Sequence, residues 1–468
     1  MNVSSWRHLL ILGLSFPIGL WTNADEKICV AQVFGAQNSG PGLGADVELE
    51  HKNLNDREDP GWWHQFRGPS GMGVAVDCRD LPIRMGEAEN VVWNVAVPGT
   101  GWSSPVVDDQ LIWLTTAISD SAGSGSDAGT ATGLDLVLLG FDRVSGQQRH
   151  TVKLLHLSQP DLIHSLNSYA SPTPCLDQDH VYCHFGTYGT AAVRRKDGTI
   201  AWVNREIQLQ HATGPGSSPI LFQDLLIFHA DAMDSQSIVA LDCETGHVRW
   251  RTERSGAMSE SPDQKKAFCT PLIAVIEDQA LLISPAANWL YVYDPATGQE
   301  RFKVPYGETG YSVVPRPVVR GSLAYFCTGF DQSRLLCVDV SPTATGVPED
   351  RIRWSVDQRM PTMPSPLLVE DLLYLISDAG IATCVNAETG EAVWSDRLGG
   401  KFAASPLLAD GKIYVGNQAG DLLVLRPGRE LDVVASNQLD SAIMASPVAI
   451  GQQIIVRTAE RLYLFEQR

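Results

Sequence analysis

The chain has 468 residues, of which 44% are hydrophobic and 19% charged, with a formal net charge of −19 at pH 7. That composition suits a soluble globular protein with a large core, and the acidic excess argues against nucleic acid and anionic membrane surfaces as principal partners. The 9 cysteines are an odd count, so they cannot all pair within one chain, and neither a Cys-x-x-Cys motif nor an adjacent cysteine pair occurs.

The first elements concern targeting. Arg7 and His8 precede an apolar run from Leu9 to Trp21, broken by Pro17, and Thr22-Asn23-Ala24 supplies a small-residue cleavage site. The run falls short of the roughly 20 apolar residues that a spanning helix needs. Residues 1–24 are therefore expected to be a signal peptide, with export to the periplasm or beyond, a mature start near Asp25 and no transmembrane segment after cleavage. Residues 25–60, with Gly-Pro-Gly-Leu-Gly at 40–44 and a charged stretch at 48–59, read as a disordered tether. Order is expected from Gly61-Trp-Trp-His-Gln-Phe-Arg-Gly-Pro69, and Val91-Val-Trp93-Asn-Val-Ala-Val97 is the first clear strand.

From there a repeat sets the pattern. A residue followed by Pro opens a β run at Pro105, Pro174, Pro219, Pro271, Pro317, Pro366, Pro406 and Pro447. Most of these runs lead through short apolar strands to an Asp–Gly turn and then an aromatic residue. The frame is clearest in Asp242-Cys-Glu-Thr245-Gly246, ending on Trp250. It returns at Asp294 to Gly298, ending on Phe302, and at Asn386 to Gly390, ending on Trp394. Weaker copies run from Asp142 to His150 and from Asp197-Gly198 to Trp202. In such a turn the Asp side chain accepts from turn amides and Gly supplies the positive φ. Four short strands in each repeat of about 40–50 residues indicate propeller blades. Segments 119–133 and 340–350 read as insertions, the second just before a strand ending on Trp354.

The last repeat, after Pro447, lacks a fourth strand, whereas residues 91–97 form a spare strand at the other end. Pairing the two closes the ring and removes both exposed sheet edges. The expected fold is all-β: an eight-bladed β-propeller of four-stranded antiparallel blades over residues 61–468, closed by the N-terminal strand.

The D-x-x-T-G-x-x-x-W frame resembles the tryptophan-docking motif of PQQ-like (pyrroloquinoline-quinone-type) repeats in the quinoprotein alcohol dehydrogenase-like superfamily. Trp63 to Pro69, Pro98 to Pro105, Asn167 to Pro172 and Gly310 to Pro317 are similar to exported bacterial members of that family. The resemblance implies that Trp202, Trp250, Phe302, Trp354 and Trp394 dock blade against blade, with weaker docking where His150 and Phe302 replace Trp. The superfamily holds both quinone enzymes and non-catalytic scaffolds, so fold alone leaves function open.

A quinoprotein would need PQQ, a Ca²⁺ bound through oxygen ligands and a nearby Asp base. The adjacent cysteines of the family's methanol-oxidising members are absent, and their Ca²⁺ and base residues find no counterpart here. The expectation is a non-catalytic, monomeric binding or scaffolding module of the cell envelope, with no cofactor and no metal. A small PQQ- and Ca²⁺-dependent dehydrogenase of alcohols or sugars is the alternative. Asp142, Asp242 and Asp294 read as turn residues, and His164 and His211 as loop or packing residues. An oxidising compartment would permit a Cys175–Cys183 or a Cys327–Cys337 disulfide.

In a propeller the segments entering the innermost strands ring one mouth of the channel. Here they carry Trp102, His164, Asn167, Tyr169, Lys265, Lys266, Tyr311, Arg316, Met363, Lys401 and Met444. One reading takes these as solvated charges and packing aromatics. The other is a ligand mouth for an anionic sugar, an organic acid or a carboxylate-bearing loop of a partner protein, in which cations focus the field and Trp102, Tyr169 and Tyr311 offer flat faces.

Overall fold

In the computed structural model, residues 61–120, 133–308 and 310–468 are described. The expected signal peptide and tether, and most of the insertion at 119–133, lie outside them. The chain forms eight sheets arranged as the blades of a propeller, six of them antiparallel meanders of four consecutive strands and two that also take a strand from the N-terminal segment. The strands of a blade differ in burial because they lie at different distances from the axis. In blade six the second strand, Leu372–Ile376, is buried throughout. Its sequence is accordingly an unbroken apolar run, because a neighbouring blade covers each face. The outermost strand of blade three, Val248–Glu253, alternates between half-buried and exposed residues, as one solvated face requires.

Blade eight closes as expected. Val91–Ala96 pairs antiparallel with Arg461–Glu466, with Trp93 opposite Leu464 and Ala96 opposite Arg461. Trp93 thereby becomes a docking residue that was not singled out from the sequence. Its indole Nε1 donates to Arg143 O of blade one at 3.1 Å. Its ring lies so close over Gly146 that a Cβ there would stand 2.7 Å from it. The same contact recurs between Trp202 and Gly246, Trp250 and Gly298, and Trp354 and Gly390. Each of these glycines has positive φ, so the position is reserved for Gly both by backbone conformation and by the ring above it. Phe302 lacks that partner and is instead covered by the Arg351 guanidinium, 4.0 Å from its centroid. Trp394 donates to Gly428 O at 3.1 Å.

The turns behave as their composition dictates. Asp242 Oδ1 accepts from the amides of Glu244 (3.1 Å) and Thr245 (2.8 Å) and from the Thr245 hydroxyl (2.9 Å). Asn386 accepts from Glu388 N and Thr389 N in the same way.

Two features differ from the sequence reading. The eight cysteines among the described residues are free thiols. Cys175 pairs in register with Tyr182, so Cys183 points to the opposite face of its sheet and cannot reach it. Cys327 faces Leu335 while Cys337 faces Tyr325, a diagonal offset rather than a direct pair. In addition, blade seven has a fifth strand. Val74–Ala75 runs parallel to its innermost strand, Leu407–Ala409. Residues 61–76 therefore enter the axis of the propeller.

Candidate functional site at the propeller axis

The residue before each blade-opening proline turns out to belong to one circular chain of hydrogen bonds. Ser104 N donates to Thr173 Oγ1 (2.9 Å), Thr173 N to Ser218 Oγ (2.9 Å) and Ser218 N to Thr270 Oγ1 (3.1 Å). Across the ring, Arg316 N donates to Ser365 Oγ (3.0 Å), Ser365 N to Ser405 Oγ (3.0 Å), Ser405 N to Ser446 Oγ (2.9 Å) and Ser446 N back to Ser104 Oγ (3.0 Å). A residue in front of Pro is extended, which leaves its amide free to reach the next blade. Arg316 is the one member with no hydroxyl, so the link from blade four to blade five is made differently.

That link runs through the N-terminal segment, which plugs the axis. The Arg316 side chain is buried and donates through Nη1 to Phe66 O, and through Nη2 to Gln65 Oε1 (3.2 Å) and Pro271 O (3.0 Å). Arg67, also buried, donates through Nη2 to Met72 O (2.6 Å) and Pro366 O (2.8 Å). Other plug residues touch further blades. Trp63 forms a bridge with Val107, Leu176 N donates to His64 O (2.9 Å) and Leu408 N to Gly73 O (2.8 Å). The glycines are forced by this packing. A Cβ on Gly71 would lie 2.5 Å from Arg316 Cζ, and one on Gly73 would lie 2.6 Å from Arg67 Nη2. A third buried arginine, Arg457, donates to Ser103 O, Ser103 Oγ and Thr115 O between blades eight and one. Burial pushes Arg67, Arg316 and Arg457 down to about 9, and for Arg67 the neighbouring Arg316 charge adds to the effect. All three remain cationic at neutral pH.

Loops that lead into the innermost strands are zipped to their neighbours. Trp102 N donates to Ser168 Oγ (3.2 Å), and its buried indole N–H has no acceptor. Asn167 Nδ2 donates to Thr213 O (2.8 Å) and Pro215 O (3.0 Å), while its Oδ1 accepts from Ser168 N (2.8 Å) and Ser171 Oγ (2.6 Å), so its side chain is a tie between loops. His164 is exposed. Tyr169 packs against Tyr188, with centroids 5.9 Å apart, and Tyr311 packs edge-on to Phe330 at 5.8 Å. The cations do not line up as four free charges. Lys266 is buried and paired with Asp263 at 2.8 Å, and Arg316 turns inward to the plug. Lys265 is half-buried, Lys401 is exposed, and Met363 and Met444 are half-buried.

Two other constellations have chemistry-bearing side chains. Ser284 Oγ lies 2.7 Å from His229 Nε2, and His229 Nδ1 lies 3.5 Å from Asp231 Oδ2 without a hydrogen bond, so the group has the residue types of a nucleophilic triad but not its full set of contacts. Arg254, however, forks onto Asp231 (3.0 and 2.7 Å) and donates to Ser284 (2.7 Å). The group is sealed between blades three and four. A nucleophile needs a reachable reacting atom, so these residues act as an inter-blade tie. A cavity of about 280 Å³ is lined by Ile163, Tyr188, His211 and Met233, among others. His211 Nε2 accepts from Thr187 N (3.2 Å), and burial pushes the ring down to about 4, keeping it neutral. His211 is thus a packing residue of the loops. The sequence signal for the axial residues lay in the alignment of the repeats. Among the eight pre-proline positions, Arg316 alone breaks the Ser/Thr rule.

Fold and axis together define an eight-bladed propeller with Trp-on-Gly blade docking. The family described as outer membrane protein assembly factor BamB matches residues 137–341, 210–381 and 343–429. These spans cover more than half of the chain, which therefore belongs to this PQQ-like repeat family. No curated protein matches it. Among solved structures it is similar to BamB from Moraxella catarrhalis (TM-score 0.52, 13% identity, covering 80% of this chain and 99% of that one). It is also similar to the quinohemoprotein alcohol dehydrogenase from Comamonas testosteroni (TM-score 0.61, 12% identity, covering 87% and 80%). A europium-containing methanol dehydrogenase superposes with TM-score 0.52 at 9% identity, covering 87% and 98%. At these identities the likeness is one of fold.

Proposed function

We propose that this propeller is a non-catalytic binding or scaffolding module of the cell envelope, exported by its N-terminal segment and presenting the mouth-face loops to a partner. The observation that carries this reading is the filled axis. Residues 63–75 and the guanidiniums of Arg67 and Arg316 occupy the centre of the ring, bonded to blades on several sides. A calcium-bound quinone asks for carboxylate and amide oxygens around the cation. Among the described residues no carboxylate acts on Arg67, Arg316 or Arg457, and buried guanidiniums repel a dication. The axial residues do not fit that group. The loops carrying Trp102, His164, Asn167, Tyr169, Lys265, Lys266, Tyr311 and Lys401 form the docking face in this reading, with Lys401 its exposed cation. The family's outer membrane assembly factor supports a protein partner over a small substrate. The experiment is reconstitution of the purified protein with PQQ and Ca²⁺, followed by dye reduction with alcohols and sugars. No turnover is expected. Reduction at enzyme-like rates, above about 1 per second, would establish the dehydrogenase reading instead.

A further inference from the structure

Arg67 and Arg316 meet where the plug joins the ring, and their surroundings leave charge and donors unbalanced. Both side chains are fully buried, and a guanidinium keeps its charge in a protein. Arg67 makes its two bonds through Nη2, so its Nε and Nη1 have no acceptor, and neither has Arg316 Nε. The acidic groups that act on Arg316 are the thiols of Cys175 and Cys269, and burial raises both far enough to keep them neutral. Isolated buried ions cost several kcal/mol each unless paired, and among the described residues no carboxylate acts on this pair. Carbonyl acceptors and water can satisfy N–H groups, but they do not balance two charges.

We propose that a small monovalent inorganic anion of the halide class is bound between Arg67 and Arg316, accepting from Arg67 Nε and Nη1 and from Arg316 Nε. Gly71 and Gly73 lack side chains where the plug backbone packs against the two guanidiniums, and three buried N–H donors with no carboxylate acting on them call for one small monovalent anion. The anion would fasten the plug to the ring at the position where the hydroxyl chain is broken. This inference concerns the interior and is independent of which partner the mouth face takes.

The test uses the whole protein. Purified and crystallised in bromide throughout, it should show an anomalous peak within hydrogen-bond reach of the three unpartnered N–H groups. Its absence there, or bromide only on the surface, overturns the proposal. In solution at constant ionic strength, replacing gluconate by chloride should raise Tm by about 2 °C for each tenfold increase in chloride above half-saturation, for a chain of this size. The Arg67→Met variant should lose that dependence. Should the variant not fold, the bromide peak in the parent protein decides. A Tm equally indifferent to chloride in parent and variant counts against the site.

Discussion

Blade closure rests on the contact between Trp93, carried by the N-terminal strand, and Gly146, in the first turn of blade one. The perturbation is a double-mutant cycle of Trp93→Ala and Gly146→Ala. Removing a buried Trp typically costs about 3–5 kcal/mol. Trp93 is half-buried, so about 2–3 kcal/mol is expected here, including the bond to Arg143 O. Gly146 has φ 72°, where an L-residue costs about 1–2 kcal/mol. Its Cβ would also stand 2.7 Å from the Trp93 ring, and overpacking of this kind adds about 1–3 kcal/mol. Only the overlap depends on the indole. Gly146→Ala should therefore cost about 1–3 kcal/mol less in the Trp93→Ala background than in the parent. Urea unfolding of the four proteins measures this. With an unfolding entropy of roughly 0.8 kcal/mol/K for about 400 ordered residues, Trp93→Ala alone should lower Tm by about 3 °C. If Gly146→Ala costs the same in both backgrounds, ring-on-glycine stacking is not what docks blade eight to blade one.

Further outcomes are expected elsewhere. The Asp142 carboxyl is held down to about 2, first by the Ser145 amide and then by its hydroxyl and Arg149. Because the folded value is depressed, its stabilisation is present above the ordinary carboxylate range and is lost as pH falls toward 2. Asp142→Asn should keep the turn, as Asn386 does in blade six, and flatten the stability profile between about pH 4 and 2; an unchanged slope refutes the assignment. Arg316→Ser should restore a hydroxyl for Thr270 N–H while freeing Phe66 O and Gln65. Loss of charged hydrogen bonds worth about 1.5–3 kcal/mol each should speed amide exchange at Leu408, bonded to Gly73 O, by tenfold or more while leaving Ser405 unaffected. Equal exchange at both sites would mean that Arg316 does not hold the plug.

The repeated turn chemistry, the four short strands per repeat and the eight prolines made the blades, their number and the closing strand readable from the chain. These features are local, or they repeat often enough that one copy explains the next. Asp242 needs only its own turn to reveal its role, and a missing fourth strand at one end calls for a spare at the other.

What only the tertiary structure decided is what meets at the axis. Arg67 and Arg316 are separated by four blades, half of the ring, in sequence, and nothing in either neighbourhood says that the two guanidiniums share a buried space. Read alone, Arg316 and Lys266 belong with the cations of a mouth. In the fold Arg316 becomes a strut between plug and ring, and Lys266 becomes half of an ion pair. The cysteines differ for the same reason, since hairpin spacing allows a pair while register and sheet face forbid it. Local sequence sets backbone conformation and which face of a strand is apolar. Where a long polar side chain ends, and whether its charge finds a partner, depends on groups brought from other blades by ring closure.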